Sequence, residues 1–428
     1  MSIFRRRLMS INNLESIYAY GIEWDVNDSS PKVTRVGNKN LHRTLPVQSQ
    51  IKGCLLSDTG VVNKYLDPTD WTKETRDGSA GQVMVELPKH YRKCVTSGTK
   101  RQVLLSMFPL TGYTEIPKAY VSAYQATVQH STGKLCSVVN TSTDYRGGDN
   151  NSSYDSDSGK TLLGRPASNI STIGFRVDAR KRGNGSHWNM MVYNIQKEIY
   201  WLFAVEYATR NSQDSVASSL DGNGYHQGGL GPGVTNLDWS RWNSFNGGRP
   251  FIPCGYTDSL GNRTGQISFT MPSSYGSLTT YPNRYRGIEL PFGHIWEWTD
   301  GINIEYQSDA AGGLAKAYVC SDPSKFNSTG YDGYTYVGNI SRDNNGWTTD
   351  IIFGSDGEIL TSKLGGSGDT YYCDGTESSI PSSGTVLRAV GFGGAAHGGS
   401  GAGLVYLRSN NAPSGASLDC GSRLCFIP

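Results

Sequence analysis

Acidic residues beside tryptophans are the first residues of this sequence whose types could do chemistry. Glu289, Glu297 and Asp300 lie close together in a tryptophan-containing segment, and Glu206 interrupts an apolar stretch. Paired carboxylates can supply the acid and the base of glycoside hydrolysis. The same side chains can instead accept hydrogen bonds from loop backbone and hold irregular segments in place, and we favour this structural role.

The sequence lacks the common catalytic and metal-binding motifs. It contains neither the GxSxG nucleophile motif nor the HExxH zinc motif. The segment Gly159-Lys160-Thr161 resembles the end of a phosphate-binding loop, but a tyrosine occupies the first glycine position. The acidic residues just before it resemble a calcium loop, but a proline stands where a bidentate glutamate is needed. We therefore expect no metal, no cofactor and no enzymatic activity.

Cysteines and histidines show no ligand spacing either. The eight cysteines are scattered without a CxxC pair, and no apolar signal segment follows the basic N-terminal residues. We therefore expect buried free thiols. His294 stands among apolar aromatic residues, which favours a structural role. His397 lies in a stretch of Gly, Ala and Ser, where we expect exposure.

Apolar periodicity indicates the elements that position these residues. Ile195, Ile199 and Leu202 recur at helical spacing, which predicts a helix from about Tyr193 to Asn211. Strands are predicted at 21–25, 82–88 (half-buried), 103–109, 266–271, 294–298, 335–337, 350–353, 386–390, 404–407 and 423–427. One main helix with many short strands and long loops predicts an α+β fold. We expect a small β-rich N-terminal unit over residues 1–75 and a larger domain over 76–428.

The composition excludes several classes of protein. The 53 glycines show no collagen period, and the 25 tyrosines with 12 phenylalanines and 9 tryptophans are too many aromatics for a disordered chain. A net charge of +2 argues against nucleic-acid binding. No apolar run is long enough for a membrane span, so we expect no membrane insertion. The long loops of the second half predict a binding surface.

Four segments together resemble one family. Residues 82–91 look like its entry strand, 201–213 like its central helix, 285–301 like its aromatic core strand, and 421–426 like its closing strand. They resemble the C-type-lectin fold, in the branch shared by formylglycine-generating enzymes and the variable proteins of diversity-generating retroelements. The latter include phage tropism determinants. The resemblance covers roughly residues 60–428, and its motifs are specific in combination.

The two branches imply different sites. Formylglycine-generating enzymes need a copper-binding cysteine pair, which the resemblance places near Ser400 and Val405, and neither is cysteine. The calcium-site tripeptides of animal C-type lectins are also missing. In variable proteins, the segment before the closing strand forms the ligand-binding face, which corresponds here to about 393–420. The ligand-binding residues implied by this resemblance are Ala395, His397, Gly398, Gly401, Tyr406, Arg408, Asn410, Asn411, Gly415, Ser417 and Asp419.

The second branch implies a receptor-binding protein of a phage tail, or a prophage-borne adhesin. Its partners would be a bacterial surface receptor, either glycan or protein, and other tail proteins. Residues 1–75 would attach the chain to the tail or to sister subunits. A homo-oligomer is expected, since related tail proteins are often trimers, and its location would be the virion or a bacterial cell surface. Two alternatives stay open: a formylglycine-generating-type oxidase, and a structural tail or decoration protein without a ligand.

Overall fold

The computed structural model describes residues 14–157, 159–217, 219–231, 252–270 and 279–428. These residues form mainly strands and ordered loops with few helices, which agrees with the α+β class expected from the sequence. Three larger sheets hold most of the strands, and buried aromatic side chains pack between them. Among the described residues, no helix has both the length and the apolar character needed to cross a membrane.

The first sheet is antiparallel and has five strands. In spatial order these are β2 (Thr34–Gly37), β1 (Ala19–Asp25), β7 (Lys100–Ser106), β6 (His90–Ser97) and β8 (Thr114–Ile116). Strand β1 pairs with β7 over its whole length, from Ala19 opposite Ser106 to Asp25 opposite Lys100. The N-terminal segment is therefore hydrogen-bonded to strands that follow residue 76.

The second sheet has six antiparallel strands. They are β12 (Trp188–Met190), β27 (Leu424–Phe426), β9 (Ala119–Ser122), β5 (Gln82–Leu87), β3 (Lys52–Leu56) and β4 (Val62–Tyr65). This sheet, like the first, joins strands from both sides of residue 75, because β3 precedes that residue, β5 follows it, and the two strands are paired. The expected boundary at residue 75 thus falls within two shared sheets, and the attachment role of residues 1–75 stays a prediction.

The third and largest sheet carries the C-terminal segment. Its order is β20 (Thr335–Asn339), β19 (Ala315–Val319), β18 (Trp296–Gln307), β24 (Thr385–Phe392), β25 (Leu407–Ser409), β23 (Gly375–Ser378), β21 (Asn345–Phe353) and β22 (Glu358–Leu364), and β26 (Cys420–Gly421) adds to β18. Most pairs are antiparallel, but β25 runs parallel to β23 and β26 parallel to β18.

Short β-ribbons complete the fold. They are β10 (Thr127–Gln129) with β11 (Lys134–Cys136), β13 (Gly265–Gln266) with β16 (Asn283–Tyr285) and β17 (Ile288–Glu289), and β14 (Phe269–Thr270) with β15 (Thr279–Thr280).

The α-helices with both ends among the described residues are α1 (Leu41–Thr44), α2 (Thr172–Arg180) and α3 (Tyr193–Tyr207), and residues 14–18 are also helical. Single turns of 3₁₀ helix occur at Gln48–Gln50, Thr143–Tyr145, Ser152–Tyr154, Asp258–Leu260, Asp309–Ala311, Pro323–Lys325 and Gly399–Gly401. The predicted helix corresponds to α3, but it ends earlier than Asn211 because Ala208 adopts a left-handed φ of 53°. Helix α3 is buried on nearly all sides, and Trp201 stacks on Trp24 of β1 with ring centroids 5.8 Å apart.

Several details correct the sequence-based expectations. Strand β5 is buried along its whole length, because it lies in the interior of its sheet, whereas alternation predicted a half-buried strand. The predicted strand at 404–407 is confirmed only from Leu407, since the residues before it form a turn. The strand expected at 266–271 is divided into β13 and β14, and residue 271 lies outside the described residues.

Candidate ligand-binding site

A concave groove of about 870 Å³ opens beside the centre of the largest sheet. One wall is formed by residues 375–379, on β23 and directly after it, and by residues 345–347 on β21, and the loop at 398–401 forms another. The remaining lining comes from the loop at 221–223 and from residues that flank β25. The groove size is within the ~300–1,000 Å³ that usually accommodates a small ligand.

Most of the residues implied by the resemblance lie together in this region. Five of them line the groove: Gly398, Gly401, Tyr406, Asn410 and Asn411. Four others line an adjoining recess of about 210 Å³: His397, Arg408, Ser417 and Asp419. Glu377 borders both spaces, so the groove and the recess adjoin each other at this residue.

Two of the implied residues lie elsewhere. Ala395 is only 1% exposed, and its backbone forms a bridge with His294 in the protein interior. Its side chain therefore does not face the groove. Gly415 lines neither space, and its backbone N–H closes a turn onto the carbonyl of Ala412. His397, which we expected to be exposed, is half-buried at the edge of the recess.

The backbone of the loop at 400–405 is held from below by buried polar side chains. Gln213 Nε2 lies 3.1 Å from the Ser400 carbonyl and 2.9 Å from the Ala402 carbonyl. The same nitrogen donates to Asp374 Oδ1 at 2.8 Å, and Asp374 Oδ2 accepts from the Val405 N–H at 2.8 Å. Burial raises the pKa of Asp374 to about 7. These anchors lie outside the 393–420 segment.

Two further side chains fix the next residue of this loop. Ser212 Oγ accepts from the Leu404 N–H at 3.0 Å, and Gln196 Nε2 donates to the Leu404 carbonyl at 2.7 Å. Gln196 is on α3 and is only 2% exposed. The central helix therefore helps to position the groove, although it does not line it.

Aromatic rings run along the groove and into the recess. Trp347 packs edge-on against Tyr225 with ring centroids 6.0 Å apart. Tyr406 packs edge-on against Trp296 at 4.6 Å, and its hydroxyl donates to Glu377 Oε1 at 2.8 Å. Burial raises the pKa of Tyr406 well above its usual value, so this hydroxyl keeps its proton and acts as a donor.

The positively charged side chain of the recess, Arg408, is held by carboxylates. Arg408 donates from Nη1 to Asp419 Oδ2 at 3.2 Å, and its Nε lies 3.6 Å from Glu377 Oε2. Its guanidinium also lies over the Trp296 ring, 5.3 Å from the centroid. Burial lowers the pKa of the neighbouring His397, against the opposing effect of Asp419 and Glu377. The recess is therefore a neutralised network and not a strong site for anions.

Sequence reasoning missed the wall of the groove that lies upstream of residue 393. These residues are Asp221, Asn223, Asn345, Trp347, Glu377 and Ser378. One local signal was present: the turn residues Asn344-Asn345-Gly346 lead directly into Trp347 at the start of a strand. Nothing in the sequence shows that β23 pairs with β25, which is the contact that brings Glu377 to the site.

The acidic residues noted first in the sequence have structural partners. Glu297 accepts from Arg423 Nε at 2.8 Å, and Glu289 accepts from the Thr257 N–H at 2.7 Å. Asp300 pairs with Arg176, and Glu206 with Arg286. These four carboxylates lie outside the groove and the recess, and their contacts agree with the structural role favoured from the sequence.

The cysteines offer no thiol pair to the groove. All eight are free thiols, and Cys420 and Cys425 are fully buried. Burial raises the pKa of Cys425 to about 12, which keeps it protonated.

Comparison with protein families and with curated sequences finds no relative. The chain matches no protein-family model, and no curated protein sequence is significantly similar to it.

Proposed function

We propose that this chain is a receptor-binding protein of a phage tail, or a prophage-borne adhesin, and that it binds a bacterial surface ligand through the groove and recess. We assign it to the variable-protein branch of the C-type-lectin fold by the resemblance of residues 60–428. Nine of the eleven residues implied by that resemblance line the groove or the adjoining recess, which supports the proposal.

One observation carries this proposal further than the resemblance. The loop at 400–405 is anchored through its backbone, and the anchoring side chains belong to Gln196, Ser212, Gln213 and Asp374, outside the segment. Side chains such as His397 and Asn411 can therefore change without loss of these anchors. A surface of this kind suits a protein whose ligand choice changes while its fold stays constant.

The attachment role of the N-terminal residues has its own support. Leu14 and Ile17 are 46% and 43% exposed, and Phe108, beside Tyr18, is 53% exposed. Clustered exposed apolar side chains of this kind mark surfaces that bind other proteins. We propose that this end contacts sister subunits, as in a homo-oligomer such as a trimer, or other tail proteins.

A triple substitution tests the proposed function. His397→Ser, Asn410→Ser and Asn411→Ser together should lower adsorption to susceptible bacterial cells at least tenfold, because these side chains face the groove and recess. The melting temperature should stay within a few degrees of wild type, since the backbone anchors are intact. A control triple on an exposed edge strand, Thr335→Ser with Tyr336→Ser and Asn339→Ser, should adsorb normally.

Two results would contradict the proposal. Unchanged adsorption by the groove triple would show that the site is wrong. A full-length protein that adsorbs to no bacterial surface would favour the structural tail or decoration protein instead. The neighbouring DNA tests the family assignment separately: a near-copy of the 393–423 coding region, differing mainly at adenines and beside a reverse-transcriptase gene, is expected.

A further inference from the structure

The groove combines aromatic faces with neutral and acidic polar groups. Trp347 and Tyr406 supply the rings, while Asn345, Asn410 and Asn411 supply amide donors and acceptors. Asp221 and Glu377 add carboxylates, and no Lys or Arg is among the described residues that line the groove. A phosphate or carboxylate ligand would therefore meet two acids without a lining cation.

The adjacent cation does not change this balance. Arg408 lines the recess and not the groove, and Asp419 and Glu377 both lie within ion-pair distance of it. Its charge is thus largely compensated within the protein. The charge pattern favours ligands that are uncharged or that carry an amine.

Gly401 is buried and leaves a space, called the slot below, between the edges of the Trp347 and Tyr406 rings. A Cβ placed on Gly401 would lie 3.7 Å from the Trp347 ring and 3.7 Å from the Tyr406 ring. Both rings therefore border the space above Gly401, and the missing side chain keeps that space open. A flat ring with C–H groups on its faces and hydroxyls on its rim fits between aromatic surfaces and neighbouring amides.

We propose that the groove binds an uncharged or amine-bearing saccharide, with one sugar ring above Gly401 between Trp347 and Tyr406. This inference rests on the proposed function and specifies its ligand. The apolar C–H faces of the sugar would contact the two rings. Its hydroxyls would bond to the asparagine amides and to the free acceptor positions of Glu377.

Periodate and protease treatment of cells to which the protein adsorbs provide the first test. Periodate cleaves vicinal diols of surface saccharides, and it should lower adsorption at least tenfold, while protease treatment should leave adsorption unchanged. Loss of adsorption after protease alone would overturn the saccharide assignment and indicate a protein receptor, with the proposed function intact.

Direct titration provides the second test, with polysaccharide purified from the same cells as the probe. Gly401→Ala should lower affinity at least fivefold, because the new methyl group fills the slot at ordinary contact distance. Gly330→Ala is its matched control, since a Cβ there meets nothing within 4 Å. Trp347→Ala should lower affinity at least tenfold, whereas Tyr336→Ala, at an exposed ring on β20, should not.

Charge is tested on fragments of that polysaccharide. We expect binding by uncharged fragments and by fragments whose acetamido groups have been converted to amines. Fragments oxidised to carboxylates should bind at least tenfold more weakly. Tighter binding of the carboxylate form would overturn the proposal. Asp221→Asn should selectively weaken the amine form, since the amide keeps an acceptor for the Asn223 and Tyr225 N–H groups. If cells adsorb the protein but neither Gly401→Ala nor Trp347→Ala affects adsorption, the groove assignment itself fails.

Discussion

At the scale of single residues, Asp374 couples the stability of the protein to pH. Its carboxylate is buried beneath the groove and accepts from Gln213 and from the Val405 N–H. Burial raises its pKa from 3.8 to about 7, so the folded protein binds this proton more tightly than the unfolded chain. Its contribution to stability is therefore complete below about pH 4 and is lost as the pH rises through 7.

Asp374→Asn removes this titration. The free energy of unfolding of wild type, minus that of the variant, should fall by about 4 kcal/mol between pH 4 and pH 8. Chemical denaturation of both proteins across this range measures the difference. Burial also raises the pKa of Glu289 to about 7. Because Glu289 is present in both proteins, its contribution cancels when the two free energies are subtracted. A difference that does not change with pH would contradict this assignment.

The residues that line the candidate site were predictable only in part, and the division has a physical cause. Gly398, Tyr406 and Asn410 lie in one continuous segment, so a resemblance to a family with a known binding segment could indicate them. Trp347 and Glu377 join them through pairing between β21, β23 and β25. Such long-range register depends on the whole sheet and leaves no local pattern in the sequence.

At the scale of elements, helix α3 depends on buried charges. Glu198 accepts from His90 at 2.8 Å and lies 3.2 Å from Arg92 Nε. Burial alone would raise the pKa of Glu198, but Arg92 and His90 outweigh it and lower the value to about 2. The ion pair therefore stabilises the fold above about pH 4.5, and this contribution is lost as the pH falls towards 2.

Glu198→Gln should cost about 3 kcal/mol of unfolding free energy at pH 7, because buried His90 and Arg92 Nε lose their shared carboxylate, while Arg92 keeps its pair with Asp356. The penalty should shrink below pH 4.5, where wild type also loses the interaction. Glu305→Gln is the control: its pair with Lys316 is partly exposed, and its loss should cost less than about 1 kcal/mol. Equal penalties for the two variants would contradict a special role of the buried pair.

The elements themselves differ in how much the sequence reveals. Helix α3 was predictable because apolar residues recur along it, yet its buried Lys197 and Glu198 could not be anticipated from that pattern. Helix α2 was missed, although Ser171 caps it by accepting from the Gly174 N–H at 3.2 Å. The cap and the spacing of buried Phe175 and Ala179 were the available signals.

At the scale of the whole molecule, the C-terminal residues close the structure. Strand β27 lies between β12 and β9, and Phe426 packs edge-on against Trp188 with ring centroids 4.9 Å apart. Removal of residues 424–428 should therefore prevent cooperative folding, because two sheet strands lose their shared neighbour. Near-ultraviolet circular dichroism and limited proteolysis would report this loss. Removal of Pro428 alone, which is exposed, should leave both measurements unchanged.

The position of β27 also determines which kinds of mutation in the groove-forming segment allow the chain to fold. The groove-forming segment is encoded upstream of an interior strand, so a stop codon or shifted reading frame within it also removes that strand. Such chains would lack β27 and should not fold cooperatively. Codon replacements that keep the frame leave β27 in place. Chains with replaced residues in this segment can therefore still fold, whereas chains shortened or shifted in frame within it cannot.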